Sequence, residues 1–136
     1  MHVYNSRAKR NSGRTYNEVE RAARREYRKL AAKSKRTPYI RSAYFNKQKI
    51  FIDLFWQHLN QKRRHDRRRR LLFYECALEL IQNSHLAPDA KPSAKISGDT
   101  VFRFYGKTPE NELFCVQIKH KKRAGAYYFM SVFPWR

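Results

Sequence analysis

The fold is decided by three segments near the C-terminus: TVFRFYGK (Thr100–Lys107), ELFCVQIKH (Glu112–His120) and AYYFMSVF (Ala126–Phe133). Side chains of each segment alternate with a period of two, which predicts β-strands with two distinct faces. Short connections join them, Thr108–Asn111 with Pro109 and Lys121–Gly125 with a glycine, as in antiparallel hairpins. We therefore expect a small antiparallel sheet of at least three strands.

Strict alternation assigns each side chain of these strands to one of two faces. The face predicted to join the core carries Phe102, Phe104, Phe114, Val116, Ile118, Tyr128, Met130 and Val132. The opposite face carries Arg103, Tyr105, Gln117, Lys119, Tyr127 and Ser131. A guanidinium, an ammonium, phenols, an amide and a hydroxyl together suit the binding and cleavage of a phosphodiester. The outer face of any half-exposed sheet carries similar residues, so an ordinary surface remains an alternative.

Upstream of the strands, apolar residues recur at helical spacing. Helices are predicted from Tyr16 to about Lys33, from about Phe45 to Gln61 and from about Arg67 to Ser84. Asn17 is the expected N-cap of the first helix. The remaining segments are predicted to lack regular structure: residues 1–15 as a disordered arm, 34–39 with Pro38, 62–70 with its like charges, and 85–99 with Pro88 and Pro92.

Helices that precede strands indicate an α+β fold, with N-terminal helices followed by the small antiparallel sheet. Residues 1–40 are expected to form a basic arm and helix, partly disordered. Residues 41–136 are expected to form a single α+β domain with a helix packed on the apolar face of the sheet.

The charge of the chain points to a polyanionic partner. The formal net charge is +20, from 31 Lys and Arg against 11 Asp and Glu, and such a surface attracts polyanions at long range. Nucleic acid, foremost RNA, is the first candidate, an anionic membrane surface the second and an acidic protein the third. The apolar face of the first helix is largely alanine and is thin for a membrane-surface helix, so no membrane partner is expected. The expected contact residues are Lys62, Arg63, Arg64, Arg67, Arg68, Arg69, Arg70, Gln117, Lys121, Lys122, Arg123 and Tyr127.

Several classes of protein are disfavoured by the sequence. No apolar run is long enough to span a bilayer, and the N-terminus lacks the apolar centre of a signal peptide. Cys76 and Cys115 lie in apolar surroundings and are interpreted as buried thiols in a reducing, cytoplasmic compartment, although a disulfide between them stays possible. Neither cysteine has a second ligand at zinc spacing, and no cofactor or metal is expected.

RNA can be cleaved without a metal when its 2′-hydroxyl attacks the adjacent phosphate. This reaction needs a base, an acid and cations for the charge that develops on phosphorus. Arg103 and Lys119 are the candidate cations, Tyr105 can stack on a base or relay a proton, Ser131 can orient the phosphate, and His120 is the reserve base. A magnesium mechanism is disfavoured because the sheet region has few carboxylates.

A resemblance supports this chemistry. The string FWQHLNQKRRHDRRRRLLFYECALELIQNS, followed by FRFYG, ELFCVQIK and YYFMSVFP, resembles phage- and mobile-element-associated proteins of the barnase–EndoU–colicin–RelE-like nuclease superfamily. The similar region runs from about Lys49 to Pro134. The resemblance implies helices followed by a curved antiparallel sheet whose face holds an active site for RNA cleavage without metal. Arg103, Tyr105, Lys119 and Ser131 fall where such proteins place functional side chains. Members often use a histidine or glutamate base, and no strand-centred candidate is present here.

Two functions follow as hypotheses. The first is a toxin-type, metal-independent endoribonuclease, for which an acidic antitoxin-like protein is a possible partner. The second is a non-catalytic accessory or inhibitor protein that binds RNA or DNA and acts on a ribonucleoprotein complex.

Overall fold

The structure of the chain, a computed structural model, describes residues 1–93 and 98–135. Four helices are present in these ranges: α1 (Tyr16–Lys33), α2 (Asp53–Leu59), α3 (Arg64–Leu71) and α4 (Tyr74–Asn83). The strands there are β1 (Val3–Asn5), β2 (Tyr39–Arg41), β3 (Lys49–Phe51), β4 (Asp89–Pro92), β5 (Thr100–Lys107), β6 (Leu113–Lys121) and β7 (Ala126–Pro134).

All seven strands belong to one mixed sheet in the order β1-β5-β6-β7-β3-β2, with β4 also paired to β5. The long strands β5, β6 and β7 form the antiparallel centre. One edge of β5 is shared, since β4 pairs with its first half in antiparallel fashion and β1 with its second half in parallel. On the other side β3 runs parallel to β7, and β2 runs antiparallel to β3.

The predicted fold class, N-terminal helices followed by a small antiparallel sheet, is therefore wrong. The fold is α+β, but a strand precedes the first helix and parallel and antiparallel pairs are mixed in a seven-stranded sheet. The added strands are only three or four residues long. Segments of that length contain too few alternations for a period of two to be recognised.

The core lies between the helices and one face of this sheet. Buried residues from all four helices form one cluster with Ile40, Ile50, Phe104, Val116 and Phe129 of the strands. Its centre is aromatic: the Phe55 ring of α2 stacks on the Phe129 ring of β7 at 4.7 Å between centroids. Burial of large rings of this kind supplies much of the stability of a small domain.

The helix boundaries agree with the sequence prediction only for α1, whose N-cap is Thr15 rather than Asn17. The predicted second helix is replaced over its first part by β3, and the predicted third helix is interrupted between α3 and α4. The basic run expected as a loop is mostly α3. Asp66 in its first turn pairs with Arg69 and Arg70, and these i,i+3 and i,i+4 pairs offset the repulsion among the like charges.

An irregularity in β7 corrects the predicted faces. The register shifts between Gln117 and Ile118, so Gln117 lies opposite Ser131 whereas Ile118 lies opposite Phe129. Before this bulge the alternation of β7 is inverted, which brings Tyr128 to the polar side and Tyr127 to the core side. A bulge inserts one residue and moves every side chain before it to the other face.

The N-terminal segment, predicted as a disordered arm, is ordered by the pairing of β1 with β5 and is held further by one carboxylate. Glu79 of α4 accepts hydrogen bonds from the Tyr4 hydroxyl at 2.7 Å and from the backbone N–H of Arg7 and Ala8 at 2.9 and 2.8 Å. Partial burial acts to raise the pKa of Glu79, but these hydrogen bonds outweigh it and hold the pKa below its ordinary value. The carboxylate thus stabilises the pairing of β1 with β5.

We expect Glu79→Gln to lower the free energy of unfolding at neutral pH by about 1.5–3 kcal/mol, the range for hydrogen bonds to a charged group. Because the folded-state pKa is depressed, this stabilisation is present above the unfolded-state pKa and is lost as the pH falls through the folded-state pKa. Urea unfolding at neutral and acidic pH measures the difference. Glu75→Gln, one turn earlier on α4, removes the same charge and leaves the three hydrogen bonds in place. If Glu79→Gln lowered the free energy of unfolding equally at neutral and acidic pH, this account of the carboxylate would be wrong.

Candidate nucleic-acid interface

The sheet face opposite the helices, here called the outer face, carries side chains in four rows that cross the strands. Cross-strand partners lie on the same side of a sheet about 5 Å apart, so the register defines each row. The first row is cationic, with Arg41 of β2 paired to Lys49 of β3 and Lys121 of β6 farther along. The second row is aromatic and then cationic: Tyr39, Phe51, Tyr128, Lys119, Val101 and Lys91.

The third row contains two of the five predicted catalytic residues. Ser131 of β7, Gln117 of β6, Arg103 of β5 and Asp89 of β4 are successive partners across four strands. The fourth row consists of Phe133, Cys115, Tyr105 and Val3. Of the predicted catalytic residues, Arg103 and Ser131 thus lie in one row, Lys119 and Tyr105 lie in the adjacent rows, and all four share the outer face.

Asp89 is a candidate site residue that was not identified from the sequence. Its carboxylate Oδ2 accepts a hydrogen bond from the Tyr105 hydroxyl at 3.0 Å, and its Cα is the register partner of Arg103. Burial, followed by this hydrogen bond, raises the pKa of Tyr105 above its ordinary value, so the phenol keeps its proton at neutral pH. Asp89 lies on an exposed strand between Pro88 and Pro92, where proline predicts a loop. Exposed edge strands are nevertheless the place where proline is tolerated.

Ser131 and Gln117 of the third row are hydrogen-bonded to each other. The Ser131 hydroxyl donates to Gln117 Oε1 at 2.7 Å, and Ser131 retains 8% of its surface exposed. Ser131 is therefore held by its neighbour, and its oxygen can still accept a hydrogen bond.

Lys119 faces a buried carboxylate at the start of β5. Its ammonium Nζ lies 4.0 Å from Asp99 Oδ2, and the two side chains are 16% and 5% exposed. The other oxygen of Asp99 accepts a hydrogen bond from the backbone N–H of Lys122 at 3.0 Å. Asp99 thereby links the beginning of β5 to the end of β6 and holds Lys119 in place.

Arg103 has a different environment. Its guanidinium carbon lies 5.8 Å from the ring centre of Trp135, and that ring also packs 5.3 Å from the ring of Tyr105. A guanidinium placed beside an aromatic ring in this way remains able to bind phosphate through two N–H groups.

His120 and Tyr127, two of the predicted site residues, do not lie on the outer face. His120 lies on the core side of β6, where its ring packs 4.6 Å from the ring of Tyr127. Tyr127 itself stacks on Phe45 at 4.3 Å. The predictions that placed Tyr127 on the polar face and Tyr128 in the core are therefore wrong, because the bulge in β7 exchanges the two.

The basic run lies on and just before α3, and its Arg70 reaches the fourth row, where the guanidinium carbon lies 5.4 Å from the ring centre of Phe133. Its arginines are partly engaged within the protein: Arg67 donates to the Lys62 carbonyl, Arg68 to the Gly13 carbonyl, and Arg69 and Arg70 bond to Asp66. Arg64 lies over the Tyr16 ring at 4.4 Å. The exposed residues of the run are Arg63, Arg64, His65 and Arg69.

The hairpin between β6 and β7 extends the positive charge of the outer face. Lys122 and Arg123 are exposed at its turn, and the Lys121 ammonium lies 4.7 Å from the ring centre of Tyr128. These residues continue the first row toward solvent. Since Lys121 is on the outer face and its neighbours are exposed, this predicted contact group is accessible to a polyanion.

Both cysteines are free and buried. Burial raises the pKa of the Cys115 thiol to about 12 and that of Cys76 to about 11, so both stay protonated at neutral pH. Cys115 lies in the fourth row beside Tyr105 and Phe133. A protonated thiol is a poor nucleophile, so Cys115 is not suited to nucleophilic attack at neutral pH.

Comparisons with protein-family models, with curated proteins and with solved structures give no significant match. In residues 1–93 and 98–135, no helix is both long and apolar enough to cross a membrane. Across the same residues, no three histidine, cysteine, aspartate or glutamate side chains are grouped as they would be to hold a metal ion.

Proposed function

We propose that the protein binds nucleic acid, foremost RNA, on the outer face of its sheet and cleaves RNA as a metal-independent endoribonuclease of toxin type. The observation that carries the proposal is Asp89 opposite Arg103 in the third row. It supplies a carboxylate on the polar face as the cross-strand partner of Arg103, where the sequence offered no candidate base.

The proposed reaction uses the RNA's own 2′-hydroxyl. Asp89 accepts the proton of that hydroxyl, whose oxygen forms a bond to phosphorus while the bond to the 5′-oxygen breaks. A proton from water or the Lys119 ammonium goes to the leaving oxygen, and the products are a 2′,3′-cyclic phosphate and a 5′-hydroxyl. Arg103 stabilises the charge that develops on the phosphate oxygens. Tyr105 positions Asp89, since its hydroxyl donates to the carboxylate.

The test is RNA incubated with the full chain in EDTA. We expect cleavage that leaves a cyclic phosphate, and no cleavage of an otherwise identical RNA with 2′-deoxynucleotides throughout, which binds but lacks the nucleophile. If the protein binds RNA but the RNA stays intact in EDTA, the proposed cleavage is wrong and the proposed RNA binding stands.

The second candidate function is a non-catalytic nucleic-acid-binding protein. Burial of the hydroxyl-bearing residues favours it, because Tyr105 and Ser131 are only 6% and 8% exposed and both already donate within the protein. Binding without turnover, together with recovery of a ribonucleoprotein from cells, would support this function. Recovery of an acidic protein that blocks RNA cleavage would instead support the toxin-type enzyme.

The basic residues of the hairpin between β6 and β7 should contribute to RNA binding. The triple variant Lys121→Ala, Lys122→Ala and Arg123→Ala should weaken RNA binding and lower the slope of log affinity against log salt by about 0.7 for each phosphate that the protein no longer neutralises. The matched control is Arg21→Ala, Arg25→Ala and Arg28→Ala on exposed positions of α1, which removes the same charge away from the outer face. Fluorescence anisotropy at several salt concentrations measures both. Equal effects of the two triple variants would show that only net charge matters.

A further inference from the structure

The first and second rows of the outer face form a path that matches a single strand of nucleic acid. Three aromatic side chains are neighbours in the second row. The rings of Tyr39 and Phe51 meet edge to face with 6.3 Å between their centres, and the rings of Phe51 and Tyr128 are tilted by 38° with 5.7 Å between their centres. Cations of the first row accompany them: Lys49 and Lys121 lie 4.7 Å from the ring centres of Tyr39 and Tyr128, respectively.

A cleft lies at the outer end of this path. It has a volume of about 700 Å³ and lies between β2, β3 and the segment that follows α1. Its lining includes the cations Lys33, Lys35, Arg36 and Lys49 and the rings of Tyr39 and Phe51. A second cleft of about 390 Å³ shares Lys49 and Phe51 and reaches Ala126 at the hairpin. The two clefts meet at β3, so space for a ligand runs alongside the aromatic row.

We infer that these two rows bind single-stranded nucleic acid, with bases stacked on Tyr39, Phe51 and Tyr128 and phosphates held by the flanking cations. The inference rests on the proposed function, for which it names the substrate class. Bases in a duplex are stacked on each other and paired, so their faces are not offered to a protein, whereas a single strand can place each base on an aromatic ring.

The cations over the rings do not prevent this stacking. An exposed cation–π contact contributes about 0.5–1 kcal/mol, whereas stacking of a base on an aromatic side chain contributes about 1–3 kcal/mol. An ammonium that leaves the ring of Tyr39 or Tyr128 also gains a phosphate partner. Lys49 and Lys121 therefore change partners on binding, and the exchange favours the complex.

Chemistry distinguishes this ligand from other polyanions. An acidic peptide would satisfy the lysines and arginines, but it offers no flat rings at intervals that match three aromatic side chains. An anionic lipid surface would likewise use the charge and leave the row of rings without partners. Only a chain of alternating phosphates and planar bases uses both rows.

The experiment compares a labelled single-stranded RNA of about 12 nucleotides, within the usual range of site sizes, with a duplex of the same length. Phe51→Leu keeps most of the apolar bulk and removes the ring, and Tyr39→Ala removes the next ring. Each should lower single-strand affinity about 5- to 150-fold and change duplex affinity far less. Phe133→Leu is the matched control, since it removes a ring of the same face outside the path.

A base analogue gives a readout that a purely structural effect would not move. The fluorescence of 2-aminopurine within the RNA should fall on binding to the wild-type protein and fall less on binding to Phe51→Leu at saturation. If the wild type binds RNA but Phe51→Leu and Tyr39→Ala match it in affinity and quenching, the single-strand path is overturned and the proposed function stands. If the wild type binds neither RNA, or binds only vesicles of phosphatidylserine and phosphatidylcholine, both the path and the proposed function fail.

Discussion

Replacement of Arg103 by alanine should lower the rate of RNA cleavage at saturating protein by about 10²- to 10³-fold, the usual cost of losing one donor that stabilises transition-state charge. Arg103 is the cation nearest to Asp89 by register, and its guanidinium is oriented beside the Trp135 ring. Because the charge on phosphorus grows only as the reaction proceeds, affinity for uncleaved RNA should change much less than the rate. Single-turnover kinetics with end-labelled RNA separates the two quantities.

Asp89→Asn extends the same test to the base. The amide keeps the size of the carboxylate and can still accept from Tyr105, but it cannot take the proton of the 2′-hydroxyl, so we expect a loss of about 10²- to 10⁴-fold in rate. Lys91→Ala is the matched control: Lys91 lies two residues along β4 on the same face, in the second row. Its loss should weaken binding and leave the saturated rate unchanged. Arg103→Ala and Asp89→Asn proteins that cleave at the wild-type rate would remove the third row from the mechanism.

The elements predicted correctly are long periodic segments, whereas the strands that were missed are short. Strand β5 lies where the alternation of its eight residues predicted it, and α1 spans the predicted residues. Segments of this length repeat their apolar pattern often enough for the period to be recognised. Strands β2 and β3 are stabilised by pairing with distant parts of the chain. Such pairing leaves no local pattern in three residues.

The candidate site was predictable in part for the same reason. Arg103, Lys119 and Ser131 share a face because β5, β6 and β7 are long and neighbouring. Asp89 was missed because its partner, Arg103, is fourteen positions away along the chain and only the fold brings the two together. The row of Tyr39, Phe51 and Tyr128 depends on a parallel pairing and on a bulge, and neither has a sequence signature here.

Gly106→Ala should destabilise the central strands of the sheet. Gly106 is buried in β5 opposite Phe114 of β6, and a Cβ added to it would lie 2.3 Å from Cζ of that ring. The ring cannot retreat easily, since Phe114 is fully buried and stacks on Phe73 of the segment between α3 and α4 at 5.6 Å. Forcing an extra carbon into a packed core costs about 1–3 kcal/mol and occasionally more.

Chemical denaturation measures this loss, and two further variants identify its cause. Gly106→Ala combined with Phe114→Leu should be less destabilised than the sum of the two single variants, because the smaller side chain makes room for the methyl group. Gly125→Asn is the control at the β6–β7 turn, where φ is +62° and nothing lies within 4 Å of an added Cβ. Asparagine tolerates that conformation, so its cost should stay within about 0.5 kcal/mol. A Gly106→Ala protein as stable as the wild type would show that the Phe114 ring can move, and that the central strands are less tightly packed than their contacts indicate.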